Sequence, residues 1–226
     1  LLFIILISFS VTAQNTLTSG DQSMQELYES AAHSMALREI GPAAMGGRIS
    51  DIKVDLNDLS TWYVAVGSGG VWKTVNSGTT WEAIFDDQIS YSIGTIEIDP
   101  NNSKVIWVGT GENVSGRHVA WGDGVYKSED AGKSWKKMGL DGSDHIGRIL
   151  IDPRDSDVVL VAAEGPLWSS GGLRGVFRTT DGGENWVQVL DIDEKTGATD
   201  LEFDPSNPEV IYAASYERRR KTWAFL

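Results

Sequence analysis

The 226-residue chain contains no cysteine, and that absence removes disulfides, thiolate metal sites and thiol nucleophiles from consideration. Positive charge is scarce. Nineteen lysines and arginines stand against 32 aspartates and glutamates, for a formal charge of -13, and the one cationic run is Arg218-Arg219-Arg220-Lys221. A phosphate backbone meets net repulsion on such a surface, so nucleic acid is not an expected partner. No apolar run is long enough to span a bilayer. Leu1 to Val11 is too short and is followed by Thr12-Ala13-Gln14, with small residues at cleavage positions, so residues 1–13 read as the remnant of a secretory signal peptide. An exported protein, periplasmic, cell-surface or extracellular, is expected. His33, His118 and His145 share no ligand spacing and read as surface or loop residues. Asp191-x-Asp193-Glu194 lacks the spacing of a calcium loop and reads as a solvated turn. Neither metal nor any other cofactor is expected.

What the chain does have is repetition. Gly-Val-aromatic followed by a basic residue opens three matching phrases, Gly70 to Trp81, Gly124 to Trp135 and Gly175 to Trp186, whose closing tryptophans stand 54 and 51 residues apart. A period of this size with β-type residues before each turn predicts stacked four-stranded units, the pattern of a β-propeller. Aligning the chain on Asp55, Asp99, Asp152 and Asp204 exposes a fourth copy. The residues one and three places ahead of each Asp are apolar, which is strand periodicity. After three of these aspartates comes Pro, and all four open Asx-rich turns.

Each unit therefore reads as strand A, an Asp turn, strand B, a variable connection, strand C, an Asn/Asp-x-Gly turn and strand D. The predicted fold is all-β, a partial ring of four-stranded antiparallel blades near 38–87, 88–140 and 141–192, with the A and B strands of a fourth at 193–226. Residues 14–37 form an N-terminal segment with one short helix, because Met24, Leu27, Tyr28 and Ala31 fall at helical spacing behind Asp21. Three and a half blades do not close a ring, so the chain reads as a segment of a longer protein whose remaining blades are its first partners.

The phrases Thr74-x-Asn76-x-Gly78-x-x-Trp81, Ser128-x-Asp130-x-Gly132-x-x-Trp135 and Thr179-x-Asp181-x-Gly183-x-x-Trp186 resemble the Asp-box, the bacterial neuraminidase repeat of sialidases, sortilin-type propellers and several glycoside hydrolases. The residue types make it a structural device: the short polar side chain bonds turn amides, Gly takes positive φ and Trp buries a large ring. Sialidases carry Phe-Arg-Ile-Pro, whereas this chain has Gly47-Arg48-Ile49-Ser50. The stretch Ile40 to Asp51 followed by Gly67 to Lys73 is similar to the first blade of large exported bacterial proteins with sortilin-like or xyloglucanase-like propellers. That resemblance implies a catalytic Asp before the Gly-Gly-x-aromatic-basic stretch, where this chain has Gly67.

Topology then says where to look. In an antiparallel A-B-C-D meander the A–B and C–D turns share one end of the blade, and the irregular B–C and D–A connections share the other. Loops on a rigid scaffold carry function. Trp62, Trp72, Trp81, Trp107, Trp135 and Trp186 fall in or beside repeated strand positions and read as inter-blade core, whereas Trp121, Trp168 and Trp223 fall in or after the B–C insertions. With Arg117, Arg174 and Arg218 they make a set suited to stacking on sugar rings or gripping carboxylates and peptides. The expected function is binding of a peptide, protein or glycan through these loops. The alternative is a glycoside hydrolase, xyloglucanase-like or sialidase-like, with Glu112, Glu164 and Glu217 as candidate carboxylates.

Overall fold

Strand B of each unit carries apolar residues on both faces, and Asx turns or glycines interrupt the chain every five to ten residues, so the backbone returns on itself as antiparallel strands. In the computed structural model of the chain, residues 48–113, 119–221 and 224–225 are described, together with residues 26, 27 and 30. Two units are present, Leu1–Ile40 and Gly41–Leu226. In the first, Glu26, Leu27 and Ser30 are helical. The expected signal remnant, and the rest of the segment expected to hold a helix, lie outside the described residues.

The second unit holds three four-stranded antiparallel sheets in simple sequential order. They are β1 to β4 (Ile49–Val54, Trp62–Val66, Gly70–Thr74, Glu82–Ala83), β5 to β8 (Ile93–Ile98, Ile106–Thr110, Val125–Ser128, Lys136–Lys137) and β9 to β12 (Ile146–Asp152, Asp155–Ala163, Gly175–Thr179, Val187–Leu190). A fourth sheet has two strands, β13 (Gly197–Asp204) and β14 (Asn207–Tyr216). Among the described residues, β15 (Arg220–Lys221) and β16 (Ala224–Phe225) pair only with each other and add no third strand to that sheet. The first strands β1, β5, β9 and β13 neighbour one another in succession and so line a common axis. Among the described residues these are propeller blades, three whole and one half, and they do not close a ring.

The core lies between the sheets. Tyr63, Phe85, Ile96, Val108 and Tyr126 fill the first interface, and Trp107, Met138, Ile149, Ile151 and Phe177 fill the second. Leu150, Leu160, Val176 and Leu201 fill the third. Side chains alternate across a strand. In β9, Ile149 and Ile151 therefore join the second interface while Leu150 joins the third, and Ile149-Leu150-Ile151 is a continuous apolar stretch because both faces of the strand are covered there.

The repeated turn stitches neighbouring blades together. Thr179 Oγ1 receives the Gly183 amide at 3.0 Å, and Asp181 Oδ1 receives the Asn185 amide at 2.9 Å. Ser128 with Asp130, and Thr74 with Asn76, make the same bonds. Trp186 Nε1 donates to Met138 O of the preceding blade at 2.6 Å and its ring meets Trp107 edge-on; Trp135 does the same to Ile84 O at 2.7 Å and to Phe85. Trp81 departs from the core reading. No sheet precedes β1 among the described residues, and its ring is 40% exposed. Gly132 and Gly183 both have positive φ, and a Cβ there would lie 2.5 Å from Ile84 and 2.6 Å from Trp107, so both turns press directly on the blade before.

Candidate functional site

Hydrogen bonds fix which turns share a face. The Ser77, Ala131 and Gly182 amides donate to Ser60 O, Lys104 O and Asp157 O, joining the C–D turn of each blade to its own A–B turn. At the other end, the amide that follows strand B bonds the residue that precedes strand A: Gly67 to Arg48 O, Gly111 to Ser92 O and Glu164 to His145 O. The B–C insertions leave the scaffold on this second face. Each A strand also carries a bulge just inside it, between Ile49 and Asp51, Ile93 and Thr95, Ile146 and Arg148, and Ala198 and Asp200. A bulge re-aims side chains at a sheet rim. Here the bulged positions border an axial cavity of about 210 Å³ that is lined also by Asp51, Asn113, Arg148 and Asp200.

Around the axis on the loop face lies a polar cluster drawn from all four blades, buried except for the half-exposed Arg48. Glu112, after β6, is fully buried and ion-paired with Arg48 of the first blade. Its carboxylate fills the space beside Gly67, where a Cβ would stand 2.7 Å from Oε1. Any side chain at position 67 would collide with it. Glu164, after β10, is 2% exposed and paired with Arg218, which follows β14. Burial pushes the Glu164 carboxyl up to about 7, against the pull of Arg218. Burial, helped by Arg218, Arg174 and Arg220, pushes His145 down to about 3, so its ring is neutral. Its Nδ1 finds no hydrogen-bond partner among the described residues.

This cluster revises several expectations. His145 is a core residue rather than a surface one, and Glu112 and Glu164 are shut away from solvent. Arg174 is buried too. Its guanidinium donates to the carbonyls of Glu164, Pro166, Ser169 and Gly171, which commits it to folding its own loop rather than to gripping a ligand. Arg218 is likewise buried in its ion pair. Glu217 is exposed, and Arg117, His118 and Trp223 lie outside the described residues.

Two of the expected ligand residues do face solvent. Trp121 is 67% exposed and Trp168 is 59% exposed, each on a B–C connection. The backbone beneath Trp121 is tied down by Ser92 Oγ, which donates to Ala120 O at 2.8 Å, and by the Glu112 amide, which donates to the same carbonyl at 3.1 Å. Beneath Trp168, the arginine fork of Arg174 holds four carbonyls. Both indoles are thus presented outward from braced loops. Asp193 accepts the Lys195 and Thr196 amides in an exposed turn. No group of three His, Asp or Glu side chains able to hold a metal ion occurs among the described residues, and no helix there is long and apolar enough to cross a membrane.

The comparisons with known proteins agree with this architecture. An ancestral GH74 enzyme superposes with a TM-score of 0.63 at 21% identity over 81% of this chain and 25% of its own. The GH74 xyloglucanase from Xanthomonas campestris gives 0.54 at 19% identity, over 75% of this chain and 28% of its own. An auxiliary nutrient binding protein from Bacteroides thetaiotaomicron gives 0.53 at 13% identity, over 75% and 36%. The fold is a β-propeller segment. The chain spans between a quarter and a little over a third of these proteins, and at such identities the likeness extends to fold alone. No protein-family model matches the chain, and no curated protein matches it.

Sequence reasoning read His145 as a surface or loop residue and met Arg48 only in the sialidase comparison, and it placed neither in this cluster. Both stand seven residues ahead of an Asp anchor, as Ser92 does, and a polar side chain recurring at the mouth of strand A was the available signal.

Proposed function

We propose that the chain is the glycan-binding part of an exported Asp-box propeller, with Trp121 and Trp168 as its sugar-stacking platforms. The observation that carries this reading is the exposure of two indoles on the loop face, on connections otherwise braced by part-buried hydrogen bonds. A flat exposed aromatic face suits the apolar C–H face of a pyranose, and rigid presentation limits the ordering cost of binding. Resemblance to a xyloglucanase and to a nutrient binding protein makes a plant-type polysaccharide the first ligand to try. The exposed ring of Trp81 suits a further blade of the full-length protein, packed as the second and third blades pack on their predecessors. The signal-like character of Leu1 to Val11 supports export.

A hydrolytic reading has one observation in its favour, the Glu164 carboxyl raised to about 7, in the range of a general acid. Against it, Glu164 and Glu112 are buried in arginine pairs, and Glu112 occupies the space an Asp at position 67 would need. Affinity electrophoresis through xyloglucan, with reducing-end release measured in parallel, separates the two. The binding reading expects retardation without release. Release abolished by Glu164→Gln would replace it with the enzyme reading.

A further inference from the structure

Arg218 lies two residues beyond β14, yet its guanidinium reaches the second and third blades. Nη1 pairs with Glu164 Oε2, and Nη1 and Nη2 both approach Glu112 O at 3.4 Å. The two residues that follow grip the loop on either side of Trp168: Arg219 Nη1 donates to Ser170 Oγ at 2.7 Å, and the Arg220 amide donates to Leu167 O at 2.9 Å. On the other side, Glu112 bonds Ala120 O through its amide, immediately before Trp121. A single guanidinium therefore touches the roots of both tryptophan-bearing connections.

We propose that Arg218 is a positioning residue that locks the Trp121 and Trp168 loops into one fixed relation, so that the two indoles act as a single two-point platform for separate units of one chain. The proposal rests on the reading that these indoles bind sugar, and it names what sets their spacing. Nη1 and Nη2 stand about one bond further out than a lysine ammonium would, so lysine is expected to keep the Glu164 ion pair and to lose the longer contact to Glu112 O. Fixing two contacts in advance removes the ordering cost that each loop would otherwise exact when a ligand binds.

Hydrogen exchange on the full chain, read by mass spectrometry without ligand, tests the lock. In Arg218→Met the amides of 119–122 and 167–171 should exchange at least about ten times faster while β6 and β10 keep their rates. In Arg218→Lys the loosening should be confined to 119–122. The lysine variant should also weaken xyloglucan heptasaccharide binding about tenfold at unchanged melting temperature, a split that a purely structural role would not produce. Wild-type exchange in both tryptophan loops of Arg218→Lys overturns the proposal, including in the case where the methionine variant unfolds. Absence of heptasaccharide binding by the wild-type chain refutes the glycan reading and leaves the exchange result to stand by itself.

Discussion

Replacing Gly183 with alanine and, separately, Gly171 with alanine isolates the pressure that one blade exerts on the next. Both glycines have positive φ, +99° and +77°, so each alanine carries backbone strain of about 1–2 kcal/mol. Their surroundings differ. A Cβ at Gly171 meets nothing within 4 Å, whereas one at Gly183 would stand 2.6 Å from Trp107 and 3.0 Å from the Met138 methyl. Trp107 is fully buried and cannot retreat, so overpacking adds about 1–3 kcal/mol at Gly183 only. The expected losses are about 1–2 kcal/mol for Gly171→Ala and about 2–5 kcal/mol for Gly183→Ala. Urea unfolding followed by tryptophan fluorescence reads both as shifts of midpoint at unchanged slope. Equal losses would refute the claim that the repeated turn is clamped against the preceding blade.

Trp186→Phe gives up the bond to Met138 O and should cost about 1–2 kcal/mol, while Trp81→Phe, at an exposed ring, should cost less than about 0.5 kcal/mol by the same unfolding assay. His145 and Glu164 should bend the pH profile of stability in opposite senses. With His145 depressed to about 3, stability is full above its unfolded value near 6.5 and falls as pH drops toward 3; with Glu164 raised to about 7, stability is full below its unfolded value near 4.5 and falls as pH rises toward 7. Thermal melts from pH 3 to 8 should show His145→Gln flattening the acid limb and Glu164→Gln flattening the neutral one. Gly67→Ala forces its Cβ onto Glu112, so its cost should shrink by at least about 1 kcal/mol in a Glu112→Ala background, a coupling that a double-mutant cycle measures.

The scaffold was legible because each blade repeats the same solution to the same problem. Asp55, Asp99, Asp152 and Asp204 each accept the amide two residues on, and a turn that must recur writes itself into the sequence at a fixed spacing. The exposed indoles of Trp121 and Trp168 were legible for the converse reason, as large aromatics in stretches that do not repeat. The arginines were not. Arg174 and Arg218 sit in exposed-looking loops, and charge near an aromatic reads as a ligand grip until the fold shows four carbonyls and a buried carboxylate already in place. The Arg48–Glu112 and Arg218–Glu164 pairs join residues 64 and 54 positions apart across different blades, a proximity that no local pattern encodes.

The most direct test of the glycan reading is titration of xyloglucan heptasaccharide into the full chain and its Trp121→Ala, Trp168→Ala and Trp81→Ala variants, followed by calorimetry. Trp81 serves as the control, an exposed indole on the opposite face. Loss of either loop indole should weaken binding at least about tenfold, roughly 1.4 kcal/mol, with Trp81→Ala binding as the parent does. Equal affinity across all three variants would contradict the placement of the ligand on the loop face.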